Sequence, residues 1–139
     1  MKIGYVYSPL FLKHSAAGHP EAPQRLEAIL QVWQDTHLLD DLVALEPTPA
    51  TDADILRVHS QKHLNTIEYA NRRGGLQIDG DTYMNEFSRD AAYLAAGAAM
   101  NAVDAVMTGV VDASFSLARP PGHHATRDLA MGFCLFNNV

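Results

Sequence analysis

From Phe87 to about Met107 the sequence is Ala-rich, and Phe87, Ala91, Leu94, Ala95, Ala98, Val103, Val106 and Met107 spread around a helix instead of forming one stripe. A helix apolar on several sides is mostly buried, and small side chains let a neighbour come close. After Gly109 the run Ala113 to Ala118 reads as a strand that delivers the chain into Arg119-Pro120-Pro121-Gly122-His123-His124. A buried helix feeding a strand predicts layers of helix on sheet.

The rest of the chain extends that pattern. Ile3 to Tyr7 reads as a first buried strand ended by Ser8-Pro9, followed by a loop through His14, Gly18, His19 and Pro20. Pro23 suits a first helical turn, and Leu26, Ile29, Leu30 and Trp33 recur at helical spacing toward Leu39. Leu42 to Leu45 is a second strand, closed by Glu46-Pro47-Thr48-Pro49. Thr51 or Asp52 caps a short helix through Val58, and Ser60 caps another that ends near Arg72-Arg73-Gly74-Gly75. Ile78 to Tyr83 is turn-like. Strands alternating with helices predict an α/β domain with a mainly parallel sheet, whose ligands sit beyond the carboxyl ends of strands. The histidine pair falls at such an end.

With 139 residues, 47% of them hydrophobic, the chain suits one domain and leaves no room for a second. Ten Lys+Arg against sixteen Asp+Glu give a net charge of −6, so the footprint of a nucleic-acid binder is missing. That balance would attract a cationic substrate such as a lysine-rich tail or a polyamine, although it is ordinary for soluble proteins. No segment approaches the roughly 18 consecutive apolar residues of a membrane span. Met1-Lys2-Ile3-Gly4-Tyr5 runs straight into strand-like sequence with no leader, which predicts a soluble, cytoplasmic protein. Cys134 is the single cysteine, which excludes an internal disulfide and a structural zinc built on several thiolates.

Adjacent histidines after Pro-Pro-Gly carry the strongest chemical signal, because stiff prolines and a permissive glycine fix a backbone path that aims two imidazoles from a strand end. Neighbouring side chains are expected to diverge, which suits His123 and His124 to acid and base roles better than to chelating one metal. The dipeptide alone reads as two solvated histidines; the Arg-Pro-Pro-Gly before it and Gly-Phe-Cys after it favour chemistry. His59 and His63 have a metal-ligand spacing, but Ser60 as a helix cap puts His59 outside the helix, so both read as structural. Asp79-x-Asp81 lacks the further oxygen ligands of a calcium loop.

Arg119-Pro120-Pro121-Gly122-His123-His124-Ala125, followed by Met131-Gly132-Phe133-Cys134-Leu135-Phe136-Asn137-Asn138-Val139, resembles the histidine-pair segment of the histone deacetylase family. The form is that of class II enzymes and of bacterial acetoin-utilisation or acetylpolyamine deacetylases. His19-Pro20-Glu21 with Pro23 and Arg25 is similar to the family's first substrate-side loop, and Val58-His59-Ser60 and Asp81-Thr82 match in order. The resemblance covers nearly the whole chain. It implies an arginase/deacetylase-like fold and a zinc hydrolase that removes an acetyl group from an amine through metal-activated water. It also implies that His123 and His124 handle the proton, that Phe133 with Gly132 walls the acyl channel, that Arg25 lies below the channel near acetate, and that rim Asp81 orients the substrate amide. Each has a plainer alternative: Phe133 as core, Arg25 as a solvated first-turn residue, Asp81 as a turn or cap.

The family's zinc ligands, an Asp-x-His pair and a later aspartate, have no counterpart here, and Val139 closes an apolar segment without a cap. Residues 1–139 therefore read as the N-terminal portion of one deacetylase domain, cut before its metal-binding strand. Alone they are expected to hold no zinc, to be inactive, and to expose a strand edge that favours self-association or complementation by the missing half. The competing reading is a non-catalytic binding or assembly module with a deacetylase-like fold; a doubly wound domain with accidental histidines is a third.

Overall fold

Strand β1 (Ile3–Val6) lies between two parallel neighbours, β2 (Leu42–Leu45) and β5 (Ala113–Ser116), in a computed structural model that describes residues 1–139. Ile3 pairs with Leu42 on one side and Ala113 on the other, and the register holds through Val6, Leu45 and Ser116. One face of this sheet carries Tyr5 and Phe115, both in edge contact with Trp33 of helix α1 (Gln24–Asp35), with centroids 5.6 and 6.2 Å away. The opposite face carries the fully buried Val6, which packs with Leu94, Ala95, Ala98 and Ala102 of helix α4 (Ser88–Met107).

The all-round apolar character of α4 follows from its position between two cores. Its Leu94–Ala98 side meets the sheet, while Ala92, Tyr93 and Ala96 meet Leu64 and Ile67 of helix α3 (Gln61–Arg72) together with Leu135 and Phe136. Close approach is real: a Cβ on Gly97 would lie 1.8 Å from the Thr48 carbonyl oxygen, where the chain crosses the helix. The Ala50 amide there donates to the Tyr93 carbonyl at 3.0 Å, so Gly97 keeps room for a backbone contact. Burial is not all-round along the full length: Val103 is 60% and Met107 79% exposed on the outer face of the last turns, while Ala102 and Ala105 stay buried. β5 pairs with β1 alone, and Phe115 on it is half exposed.

Helix α2 (Asp52–Leu56) starts at a capping box, with Thr51 accepting from the Asp54 amide and the Asp54 carboxylate accepting from Thr51. It stops short of Val58. Ser60 caps α3 by accepting from the His63 amide at 3.2 Å, as the sequence predicts. α1 ends at Asp35 instead of Leu39: Thr36 closes it onto Val32, and His37 turns left-handed at φ 56° into a 3-10 turn over Leu38–Asp41. The segment read as turn-like is the tip of an antiparallel hairpin, β3 (Gly75–Gln77) with β4 (Tyr83–Asn85), whose strands are too short to show a period. β1 ends one residue before Tyr7, and β5 ends at Ser116, two before Ala118. No helix is long and apolar enough to cross a membrane.

Candidate active site

Because β2 and β5 flank β1 on opposite sides, the connections leaving the sheet separate beyond the carboxyl ends of β1 and β5, the position at which such sheets bind ligands. Two loops lie there. One leaves β1 through Phe11, His14 and His19 to Glu21; the other leaves β5 through Arg119, the cis Arg119–Pro120 peptide and Pro121 to the histidine pair.

A buried ion pair joins the two loops. Arg119, 2% exposed, donates from Nε to Glu21 Oε1 at 2.5 Å and from Nη2 to Oε2 at 2.6 Å, and its Nη1 donates to the Phe11 carbonyl at 2.9 Å. This is the forked geometry that a guanidinium offers a carboxylate. Beside it, His14 stacks on the Tyr83 ring with centroids 4.5 Å apart, places Nδ1 2.7 Å from Ser88 Oγ, and holds Nε2 3.7 Å from Glu21 Oε2. Burial, then the positive Arg119, then His19 push the His14 pKa down to about 3, so this imidazole is neutral. Tyr83 is pushed up to about 12, first by burial and then by the Glu21 charge. Ser88, His14 and Glu21 echo a nucleophile triad by residue type, but Ser88 is fully buried, accepts from the Asn85 amide and donates to Asn85 Oδ1, so it offers no accessible nucleophile.

His123 and His124 are exposed at the end of the second loop, with ring centroids 4.3 Å apart and planes tilted by 51°. The expected divergence of their side chains is not found. Alternation holds for extended strands, and this loop is instead tied at several points. The His123 amide donates to Cys134 Sγ at 3.4 Å, and the Asn138 amide donates to the Gly122 carbonyl at 2.8 Å. His124 lies on the α-carbon of Gly132, where a Cβ would come within 2.8 Å of the His124 Cβ and Cγ.

Gly132 and Phe133 form the two-residue tip of a tight turn in which Met131 and Cys134 exchange both backbone hydrogen bonds at 3.0 Å. Both have positive φ, 58° and 71°, the type I′ requirement, and an aromatic residue there is strained. Thr82 offsets that strain, its buried Oγ1 accepting from the Phe133 amide at 3.1 Å. The Phe133 ring is thereby held half-buried, edge-on to His19 at 4.8 Å, outside the buried core. His19 accepts from the Glu21 amide at Nδ1 (3.1 Å) and donates from Nε2 to the Asp81 carbonyl (2.8 Å), which fixes its tautomer. Asp81 is exposed on a turn that Asp79 holds by accepting from the Asp81 and Thr82 amides.

The structure thus gathers Asp81, Phe133 and Gly132 around His19, Thr82 and His124. Arg25 is exposed on the first turn of α1, where it lines a concavity together with Glu21, Arg119 and Pro121. The buried cation here is Arg119, whose hydrogen bonds go to Glu21 and to the Phe11 carbonyl. The sequence shows Glu21, Arg119, His19 and Thr82 only as parts of motif segments, with no role of their own, and His14 only as a loop residue. A charged residue directly after an apolar strand was the available signal for Arg119. His59 and His63 are structural: His63 Nε2 meets the Leu135 carbonyl at 2.8 Å, His59 Nε2 accepts from the Asn137 amide at 2.9 Å, and burial lowers both pKa values. Cys134 is fully buried.

Two converging imidazoles supply two nitrogens, and nowhere do three or more His, Cys, Asp or Glu side chains come together to hold a metal. The residues present therefore do not fit the three-ligand zinc of the resemblance.

A family model for the histone deacetylase domain matches residues 19–139. A probable deacetylase of Methanothermobacter thermautotrophicus is 43% identical over 134 residues, which are 96% of this chain and 39% of that protein. A histone deacetylase-like amidohydrolase of Pseudomonas aeruginosa is 40% identical, over 98% of this chain and 34% of its own length. The crystal structure of the HDA15 HD domain superposes with a TM-score of 0.93 at 33% identity, covering 99% of this chain and 41% of that one. The chain spans less than half the length of these relatives, and it belongs to the histone deacetylase family.

Proposed function

We propose that the protein containing this chain is a zinc-dependent amidohydrolase that removes acetyl groups from amines of the acetyl-lysine or acetylpolyamine type. The observation that carries this reading is the convergence of His123 and His124 at 4.3 Å beside the Gly132–Phe133 turn. In it one imidazole takes a proton from the attacking water and the other returns a proton to the leaving amine. Phe133 and Gly132 form an apolar wall for the methylene stem of the acylated amine, and Asp81 at the rim accepts a hydrogen bond from the substrate amide. The zinc implied by the family finds no ligand set in this chain, so on this proposal the 139 residues alone are expected to be inactive and to bind no zinc tightly.

The test compares this chain with the whole protein for zinc content and for hydrolysis of a fluorogenic acetyl-lysine peptide and of acetylspermidine. Zinc and turnover in the whole protein, with neither in the short chain, support the proposal. Stoichiometric zinc and turnover in the short chain would overturn its inertness. A whole protein that hydrolyses neither substrate would favour a binding or assembly module.

A further inference from the structure

We propose that Glu21 and Arg119 are positioning residues, whose buried ion pair sets the histidine loop against the substrate rim more than it stabilises the fold. The inference rests on the catalytic reading above.

Arg119 precedes His123 by four residues, and the stretch between them has little freedom. Pro120 and Pro121 are stiff, and Gly122 is pinned against Asn138, whose Cγ would lie 2.3 Å from a Cβ at that position. A shift of Arg119 therefore passes to the imidazoles. On the other side, the Glu21 amide donates to His19, and His19 in turn holds the Asp81 carbonyl and contacts Phe133. The ion pair thus links the proton-handling residues to the rim, and the same guanidinium makes the two further contacts between the loops, Nη1 to the Phe11 carbonyl and Nη2 to the Glu21 carbonyl. His14 is neutral and makes no hydrogen bond to Glu21, so the carboxylate depends on Arg119.

Stability alone does not account for such a pair. Both side chains are nearly fully buried, and the desolvation of two charges roughly cancels their attraction; apolar replacements of similar volume are often neutral or stabilising. What an apolar pair cannot supply is a forked, fixed distance between the loops. That distance matters because a displacement of about 1 Å can cost about 100-fold in rate.

The experiment uses the whole protein with Glu21→Gln, Arg119→Met, Arg119→Lys and the double variant Glu21→Met/Arg119→Met. Urea midpoint, kcat and KM on the acetyl-lysine peptide are read, together with the nuclear Overhauser contact between the His124 ring and the Gly132 α-protons. Each single change should lower both midpoint and kcat. The double variant should regain the wild-type midpoint while kcat stays down about 100-fold and the His124–Gly132 contact weakens. Recovery of midpoint, kcat and contact together would show a purely structural pair and overturn the proposal. Should the double variant not fold, Arg119→Lys decides: wild-type kcat refutes, and a loss of about ten-fold supports. If the wild type hydrolyses no acetylated amine, the catalytic reading fails, while the nuclear Overhauser contact still tests the positioning.

Discussion

Replacing Gly132 by alanine tests how the second histidine is held. At φ 58° an added Cβ strains the backbone, which costs about 1–2 kcal/mol in the left-handed region. The same Cβ would sit 2.8 Å from the His124 Cβ and Cγ, atoms too near the His124 backbone to swing away, which adds an overpacking cost of about 1–3 kcal/mol. Gly132→Ala should therefore destabilise by about 2–5 kcal/mol and displace the His124 ring. Gly74→Ala separates the two contributions: its φ is 75° and nothing lies within 4 Å of the new Cβ, so it should cost about 1–2 kcal/mol and leave deacetylation unchanged. Urea unfolding midpoints and hydrolysis rates of the whole protein carrying either variant make the comparison. If Gly132→Ala is no less stable than Gly74→Ala and equally active, His124 is not seated on Gly132 and the site geometry is wrong.

Other consequences are as direct. Gly97→Ala drives a methyl group into the Thr48 carbonyl and should cost about 3 kcal/mol, read from its urea midpoint; a neutral result would mean the 48–50 segment does not cross α4. Thr51→Ala removes the side-chain half of the α2 capping box and should cost about 1 kcal/mol, measured in the same way. His14 has a folded pKa near 3 against an ordinary 6.5, and the unfolded chain therefore binds the extra proton first as pH falls. Its stabilising contribution is complete above about pH 6.5 and declines toward about pH 3, by up to about 1.4 kcal/mol per pH unit, with His59 and His63 acting in the same direction. Urea midpoints that stay constant between about pH 7.5 and about pH 5 would contradict three buried neutral histidines.

Much of this architecture could be read from the chain itself, because local chemistry and tertiary position agree there. Thr51 and Ser60 cap their helices as written, β2 begins and ends where its prolines and apolar run require, and the small residues of α4 do face close neighbours. The rest is too short to show a period, is decided by a single side-chain hydrogen bond, or rests on contacts far apart in the chain. The β3–β4 hairpin has strands of three residues each, and α1 stops early because Thr36 folds back on Val32. Residues His123, Gly132, Phe133 and Asp81 were legible as a motif, yet the convergence of the imidazoles depends on Cys134, Gly132 and Asn138 reaching in from later positions. The Glu21–Arg119 pair spans 98 residues, and no spacing rule reaches that far.

Deacetylation of an acetyl-lysine peptide by the whole protein carrying His123→Ala or His124→Ala tests the central claim most directly. The account predicts that each variant folds, since both side chains are exposed, and that each loses at least about 100-fold in kcat, the contribution expected of a positioned acid or base. Wild-type kcat in either folded variant would contradict it.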